Sequence, residues 1–240
     1  MWTVGVDEAG RGPVIGPLIV SAVALPTSDL DILLEHGVKD SKDLTHKKRL
    51  HLVDWFHEQA EQRGWKYSLV DCGPERVDNG VQTTGLNILE VELFAEALNL
   101  IHKQVGESVH ILNDACDVNE QRFTDRIASR LPQWPWGDST IHSEHKADAT
   151  FPIVGMASIL AKVERDKSID KLTKQIGIPL GSGYPSDPNT KAALPKLLLD
   201  STPHPALRWS WKTVIRAWNK KHGVDPPKRT STSGNQQTLF

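Results

Sequence analysis

The chain has 240 residues, 38% of them hydrophobic and 24% charged, enough apolar material for one large globular domain or a domain with a small annex. It contains no apolar run of about eighteen residues, and the start MWTVGVDE lacks a basic region followed by an apolar stretch, so the sequence predicts neither a membrane span nor a signal peptide and points to the cytoplasm. A formal net charge of −2 excludes the uniformly basic surface of a general nucleic-acid binder, so any contact with nucleic acid has to be local.

In chain order, residues 2–7 and 17–25 read as apolar strands joined through the Gly- and Pro-rich stretch 10–17 as a hairpin. The first of them ends in adjacent carboxylates, Asp7 and Glu8. WKYSLVD, 65–71, fits a third strand. Over 84–105 the apolar residues Leu86, Leu89, Leu93, Ala97 and Leu100 recur at helical spacing. VHILND, 109–114, reads as a buried strand ending in Asp114, followed by a helix over 119–131 and a polar-edged strand over 138–145. A core helix is expected over 151–166, with Pro152 in its first turn and Gly155, Ala157, Ser158 and Ala161 permitting close packing. Residues 190–219 read as helical material carrying Trp209, Trp211 and Trp218, and beyond His222 the composition turns to Pro, Ser, Thr, Gly, Gln and Asn. The expected organisation is therefore a main domain over 1–189, a helical annex over 190–222 and a flexible tail over 223–240. Strands that pair antiparallel first and parallel later, with helices between the later ones, predict an α/β fold around a mixed sheet.

Basic residues cluster at 39–49, 162–174 and 220–229, and such runs mostly form solvated faces. Cys72 and Cys116 are too few for a disulfide framework or a thiolate metal site and read as buried thiols. The informative feature is acid at strand ends. Asp7, Glu8, Asp114 and an acid before the core helix, Asp148, would gather four negative charges. Like charges a few ångströms apart repel by about 1 kcal/mol in water and more in a protein, so such a cluster persists around hard cations. Oxygen-only ligands suit Mg²⁺ or Mn²⁺, and with them phosphodiester chemistry. By spacing alone Asp117, Asp125 and Asp166 fit as well as Asp148, and His142 and His145 read as surface histidines.

Five ordered motifs carry a resemblance: DEAGRGPVIGP at 7–17, DSKDLTHKKR at 40–49, ILNDACDVN at 111–119, HKADATFPIVGMASILAKVERD at 145–166 and GSGYPSDP at 181–188. Over about residues 2–215 the chain resembles type 2 ribonuclease H, ribonuclease HII, in its archaeal form. The resemblance implies a ribonuclease H-like fold, a central mixed five-stranded sheet flanked by helices, with a small C-terminal helical annex. It implies hydrolysis of RNA in RNA–DNA hybrids and cleavage 5′ of ribonucleotides embedded in duplex DNA, leaving 5′-phosphate and 3′-hydroxyl. By motif, the metal-binding catalytic acids would be Asp7, Glu8, Asp114 and Asp148, with Mg²⁺ or Mn²⁺, in a two-metal mechanism. Gly10, Arg11 and Gly12 would bring backbone N–H and C=O groups to the ribose, whose 2′-hydroxyl distinguishes RNA from DNA. Tyr184 would pack on the neighbouring deoxyribose and Lys42 would contact phosphate. The terminal QQTLF resembles a sliding-clamp interaction box in which Gln236, Leu239 and Phe240 take part, cut short after Phe240. The chain is expected to act as a monomer. A nuclease of the same sheet type acting on DNA alone, and a non-catalytic binding module, remain the competing readings.

Overall fold

The computed structural model describes residues 1–38, 44–106, 108–199 and 201–229. Strand β1 (Trp2–Ala9) pairs antiparallel with β2 (Leu18–Pro26), and β3 (Lys66–Cys72) adds antiparallel to β2. On the other side β4 (Val109–Asp114) lies parallel to β1, and β5 (Thr140–Glu144) parallel to β4, giving the order β3-β2-β1-β4-β5. This is the mixed five-stranded sheet expected, with the antiparallel pairs first in sequence. The parallel pairing does the functional placing. Val6 is opposite Asn113, so the next residues, Asp7 and Asp114, leave the sheet at the same edge.

β1 and β2 are buried almost without alternation because both faces are covered. One face packs on α3 (Pro74–Thr83), α4 (Leu86–Val105) and α5 (Glu120–Ala128), through Leu93, Phe94 and Phe123. The other packs on α1 (Leu30–Glu35), α2 (His46–Arg63) and α7 (Pro152–Ile176), through Leu33, Phe56 and Met156. Between β5 and α7 lies a single short turn of helix, α6 (Ala147–Thr150). Every residue of α7 from Ile153 to Ala161 is buried. Its N-terminal turn sits so close to the sheet that a Cβ on Gly5 would lie 2.5 Å from the Ile153 carbonyl, which glycine alone at that position permits. That approach brings Ser158 to the end of β1.

Several elements differ from expectation. α7 runs ten residues past 166 and ends at Gly177 in the left-handed region, φ 76°. The extension is polar apart from Ile169, Leu172 and Ile176, whose apolar partners lie in the C-terminal cluster. The span 119–131 shortens to α5. The span 190–219 is two helices, α8 (Pro188–Leu197) and α9 (Lys212–His222), separated by an irregular stretch that holds Trp209 and Trp211. Helices α1, α2 and α3 had not been anticipated. α2 does carry a readable start, Thr45 accepting from Lys48 N, and a readable stop, Gly64 at φ 74°. Its apolar face reduces to Leu52, Val53 and Phe56 among histidines and lysines, too narrow to stand out.

α8 and α9 cover the loop after β1. Val14, Ile15, Leu180, Leu207 and Trp218 form one cluster, and Ile15 bridges Leu207. Of the stretch expected to be a flexible tail, residues 223–229 are described, and Arg229 stacks on Trp209 at 4.5 Å and donates to the Pro205 and Leu207 carbonyls. Among the described residues no helix is long and apolar enough to cross a membrane.

Candidate active site

Asp7 and Glu8 on β1 and Asp114 at the end of β4 each present a carboxylate oxygen, and these all lie within 4.8 Å of one another. Asp7 is 4% exposed, roofed by α7, and accepts from Glu8 N at 2.7 Å. Asp114 accepts from Ala147 N at 2.8 Å. Lys146 adopts φ 61°, uncommon outside glycine, and so begins α6 in the orientation that aims this N–H at Asp114. Burial first, then the charges of Glu8 and Asp114, push the Asp7 carboxyl well above its ordinary range, against a hydrogen bond from Ser158. Three convergent carboxylate oxygens, one of them on a buried side chain whose charge its neighbours oppose, suit a hard divalent cation.

Asp148 follows Ala147 in α6 and is 2% exposed. It stands next to the residue that holds Asp114 but is not one of the three that converge. The acids that rivalled it by spacing are engaged elsewhere: Asp117 by Arg122 and Arg126, Asp125 by Gln121, Asp166 by Lys162. His142 pairs with Glu144 and His145 with Glu120, both histidines largely exposed.

The glycine loop is clamped on both sides. Gly10 has φ 95°, and a Cβ there would lie 2.6 Å from both the Arg165 side chain and the Pro17 carbonyl. From the annex, the fully buried Arg208 donates to the carbonyls of Gly10 (2.6 Å), Arg11 (3.0 Å) and Gly16 (3.0 Å), and Trp211 Nε1 donates to that of Gly12 (3.2 Å). The carbonyls expected to face a ribose thus already serve the annex. The Arg11 side chain turns to α4, donating to Glu90 Oε1 at 2.7 Å and Asn87 Oδ1 at 2.8 Å.

GSGYPSDP does more than turn the chain. Asp187 caps α8 through Asn189 N and Thr190 N and also accepts from Ser182 N, while Val14 N donates to Gly183 O at 2.8 Å. Tyr184 is left 38% exposed, close to Gly12 and 5.4 Å from the Arg165 guanidinium. A cavity of about 250 Å³ runs from Asp7, Glu8 and Asp114 to Tyr184, with Arg49 and Lys162 on its wall. Acid at one end and cations along the side can take a phosphodiester that straddles the two. Lys42, Gln236, Leu239 and Phe240 lie outside the described residues.

Five residues around the site carry no functional signal in the sequence. Ser158 reads there only as a packing residue, and Arg49, Lys162 and Arg165 read as members of basic runs. Arg208 had no signal, since its carbonyl partners lie 192 to 198 positions away. Cys72 is buried as expected, whereas Cys116 is half-buried and its Sγ donates to Glu8 Oε2 at 3.2 Å.

The ribonuclease HII family profile matches residues 4–214. Ribonuclease HII of Pyrococcus furiosus is 44% identical over 211 residues, 88% of each chain. Among solved structures, the ribonuclease H2 of Pyrococcus horikoshii OT3 superposes with a TM-score of 0.74 at 35% identity, covering 92% of this chain and 98% of that one. The ribonuclease HII of Archaeoglobus fulgidus, solved in a complex with PCNA, gives 0.71 at 33% identity over 88% and 96%. With its fold, its strand-end acids and these relatives in agreement, the chain belongs to the ribonuclease HII family, a ribonuclease H-fold endoribonuclease that cuts the RNA of RNA–DNA hybrids.

Proposed function

We propose that Asp7, Glu8 and Asp114, with Asp148 behind them, hold the divalent cation of this reaction, Mg²⁺ or Mn²⁺. The observation that carries this is the convergence of three carboxylates from two parallel strands, with the Asp7 carboxyl driven up by burial and then by its neighbours. A divalent ion held there supplies an acidified water and neutralises charge as the phosphodiester breaks. The chain's own contribution is to hold the ligands rigidly. Ser158 and the Glu8 N–H orient Asp7, and the Ala147 N–H orients Asp114. Lys162 and Arg49 line the cavity where they offset phosphate charge, and Lys42 adds a contact to the backbone of the substrate.

The proposed substrate includes duplex DNA with an embedded ribonucleotide, cut on its 5′ side to leave 5′-phosphate and 3′-hydroxyl. Gly10, Arg11 and Gly12 meet the ribose through their backbone, chiefly the N–H groups, since their carbonyls accept from Arg208 and Trp211. Tyr184 packs on the next sugar. The decisive experiment compares a DNA duplex carrying one ribonucleotide with its all-deoxy twin, with and without Mg²⁺. Cleavage is expected only with both ribose and metal, and cutting of the all-deoxy duplex would favour a DNA nuclease instead. Tyr184→Ala is expected to reduce cleavage at a single ribonucleotide about tenfold more than cleavage of a long hybrid, the value of one stacking contact. Equal losses on the two substrates would remove the junction-sensing role.

The tail is proposed to dock on a sliding clamp through Gln236, Leu239 and Phe240, as the PCNA complex of the Archaeoglobus relative suggests by analogy. Deleting residues 233–240 is expected to abolish measurable clamp affinity and leave cleavage of a short hybrid unchanged. Undiminished clamp binding would move the contact elsewhere.

A further inference from the structure

Beside the carboxylate trio lies a second set of donors with different chemistry. Cys116 follows β4 by two residues, and its half-buried thiol is 3.2 Å from Glu8 Oε2. Glu90, on α4, is completely buried. Its Oε1 accepts from Arg11, while its Oε2 has no hydrogen-bond partner among the described residues, a costly arrangement for a carboxylate oxygen shut away from water. Ligand atoms of Glu8, Glu90 and Cys116 all lie within 4.8 Å of one another. Two ligands on one tetrahedral zinc, at about 2.3 Å for sulfur and 2.0 Å for oxygen, stand roughly 3.5 Å apart, close to the sulfur–oxygen separation seen here.

We propose that Glu8, Glu90 and Cys116 form a binding site for a thiophilic divalent cation of the Zn²⁺, Co²⁺ and Cd²⁺ class, distinct from the hard-cation site but sharing Glu8 with it. Sulfur selects for such ions against Mg²⁺, and the buried Glu90 oxygen finds in the ion the partner it lacks in the protein. On binding, the Cys116 thiol gives up its proton to solvent and the sulfur becomes a thiolate ligand. The ion draws on Glu8 and so opposes Mg²⁺-dependent cleavage. That consequence rests on the role given to Glu8 above, whereas the binding itself does not.

Cobalt makes the site visible, because thiolate coordination produces an intense near-ultraviolet charge-transfer band. Cys72 does not confuse the reading, since it is fully buried in the hydrophobic core and belongs to neither group of converging ligand atoms among the described residues. Titrating the full chain with Co²⁺ is expected to raise the band in proportion to one site, and Zn²⁺ to bleach it. Cys116→Ser and Cys116→Ala are expected to lack the band and to bind Zn²⁺ at least about tenfold more weakly against a chromophoric chelator, as is Glu90→Gln. Cys116→Ser is also expected to keep its Mg²⁺-dependent cleavage and lose inhibition by Zn²⁺. Absence of the band in the unaltered chain, or equal Zn²⁺ affinity in the Cys116 variants, overturns the site. A band on a chain that shows no Mg²⁺-dependent cleavage would overturn the catalytic role of Glu8 and still support the thiophilic site.

Discussion

Asp7→Asn is expected to lower Mg²⁺-dependent cleavage of a hybrid by about 10³-fold or more while raising the melting temperature of the metal-free chain. The first effect follows from what a cation supplies to a phosphodiester in reaction, several kcal/mol of charge stabilisation at about 1.4 kcal/mol per tenfold. The second has the opposite sign because Asp7 is buried against Glu8 and Asp114 and its carboxyl titrates well above the ordinary range. As pH climbs from that range through the raised folded value, the unfolded chain gives up its proton first, so stability falls over that window. Asparagine has no proton to lose there. Each kcal/mol relieved is worth about 2–4 °C in a chain of this size. The same sign predicts that Mg²⁺ raises the melting temperature of the unaltered protein more at pH 8 than at pH 5, and that Asp7→Asn flattens the difference. Thermal melts across pH with and without Mg²⁺, beside hybrid cleavage, check both. An active Asp7→Asn protein would remove the assignment, and one that is inactive but less stable would mean that the fold, not the chemistry, had been lost.

The parts of the site that could be read from sequence are those generated by local rules. An apolar run ending in acid gives a strand end, and two such ends meet when the strands are parallel neighbours, as Val6 opposite Asn113 makes them. Asp148 was legible by motif alone, because its placement depends on the left-handed turn at Lys146, which nothing in periodicity announces. α2 was missed because a helix with three buried residues in eighteen does not declare its period. The second half of α7 was missed for the reverse reason, since its apolar partners come from α8 and the segment after it. Trp209 and Trp211 looked like helix-packing residues and instead sit in an irregular stretch, where their indoles donate to the His204 and Gly12 carbonyls. What sequence conceals throughout is the long-range tie, and the annex makes most of its ties to the loop that follows β1.

Arg208→Met tests whether those ties matter to the reaction. The arginine is fully buried, and among the described residues it makes no ion pair; its charge is held by the Gly10, Arg11 and Gly16 carbonyls and by the face of Trp211 at 4.8 Å. Burial, with Arg165 nearby, lowers its pKa to about 10, so it remains a cation at neutral pH but an expensive one. Methionine fills comparable volume and removes that desolvation cost, yet leaves the carbonyls without donors at about 1–3 kcal/mol each when water cannot replace them. The net expectation is a loss of about 3 kcal/mol, or roughly 6–12 °C in melting temperature. Well below that temperature, cleavage at a single ribonucleotide is expected to fall about 10²-fold, because the Gly10–Gly12 peptide groups lose the register that an ångström's displacement destroys. Arg208→Lys keeps the charge but presents no fork to reach separate carbonyls, so it should rescue neither property. If the methionine variant melts early yet cuts a lone ribonucleotide at the normal rate, the arginine is a tie between annex and domain and nothing more.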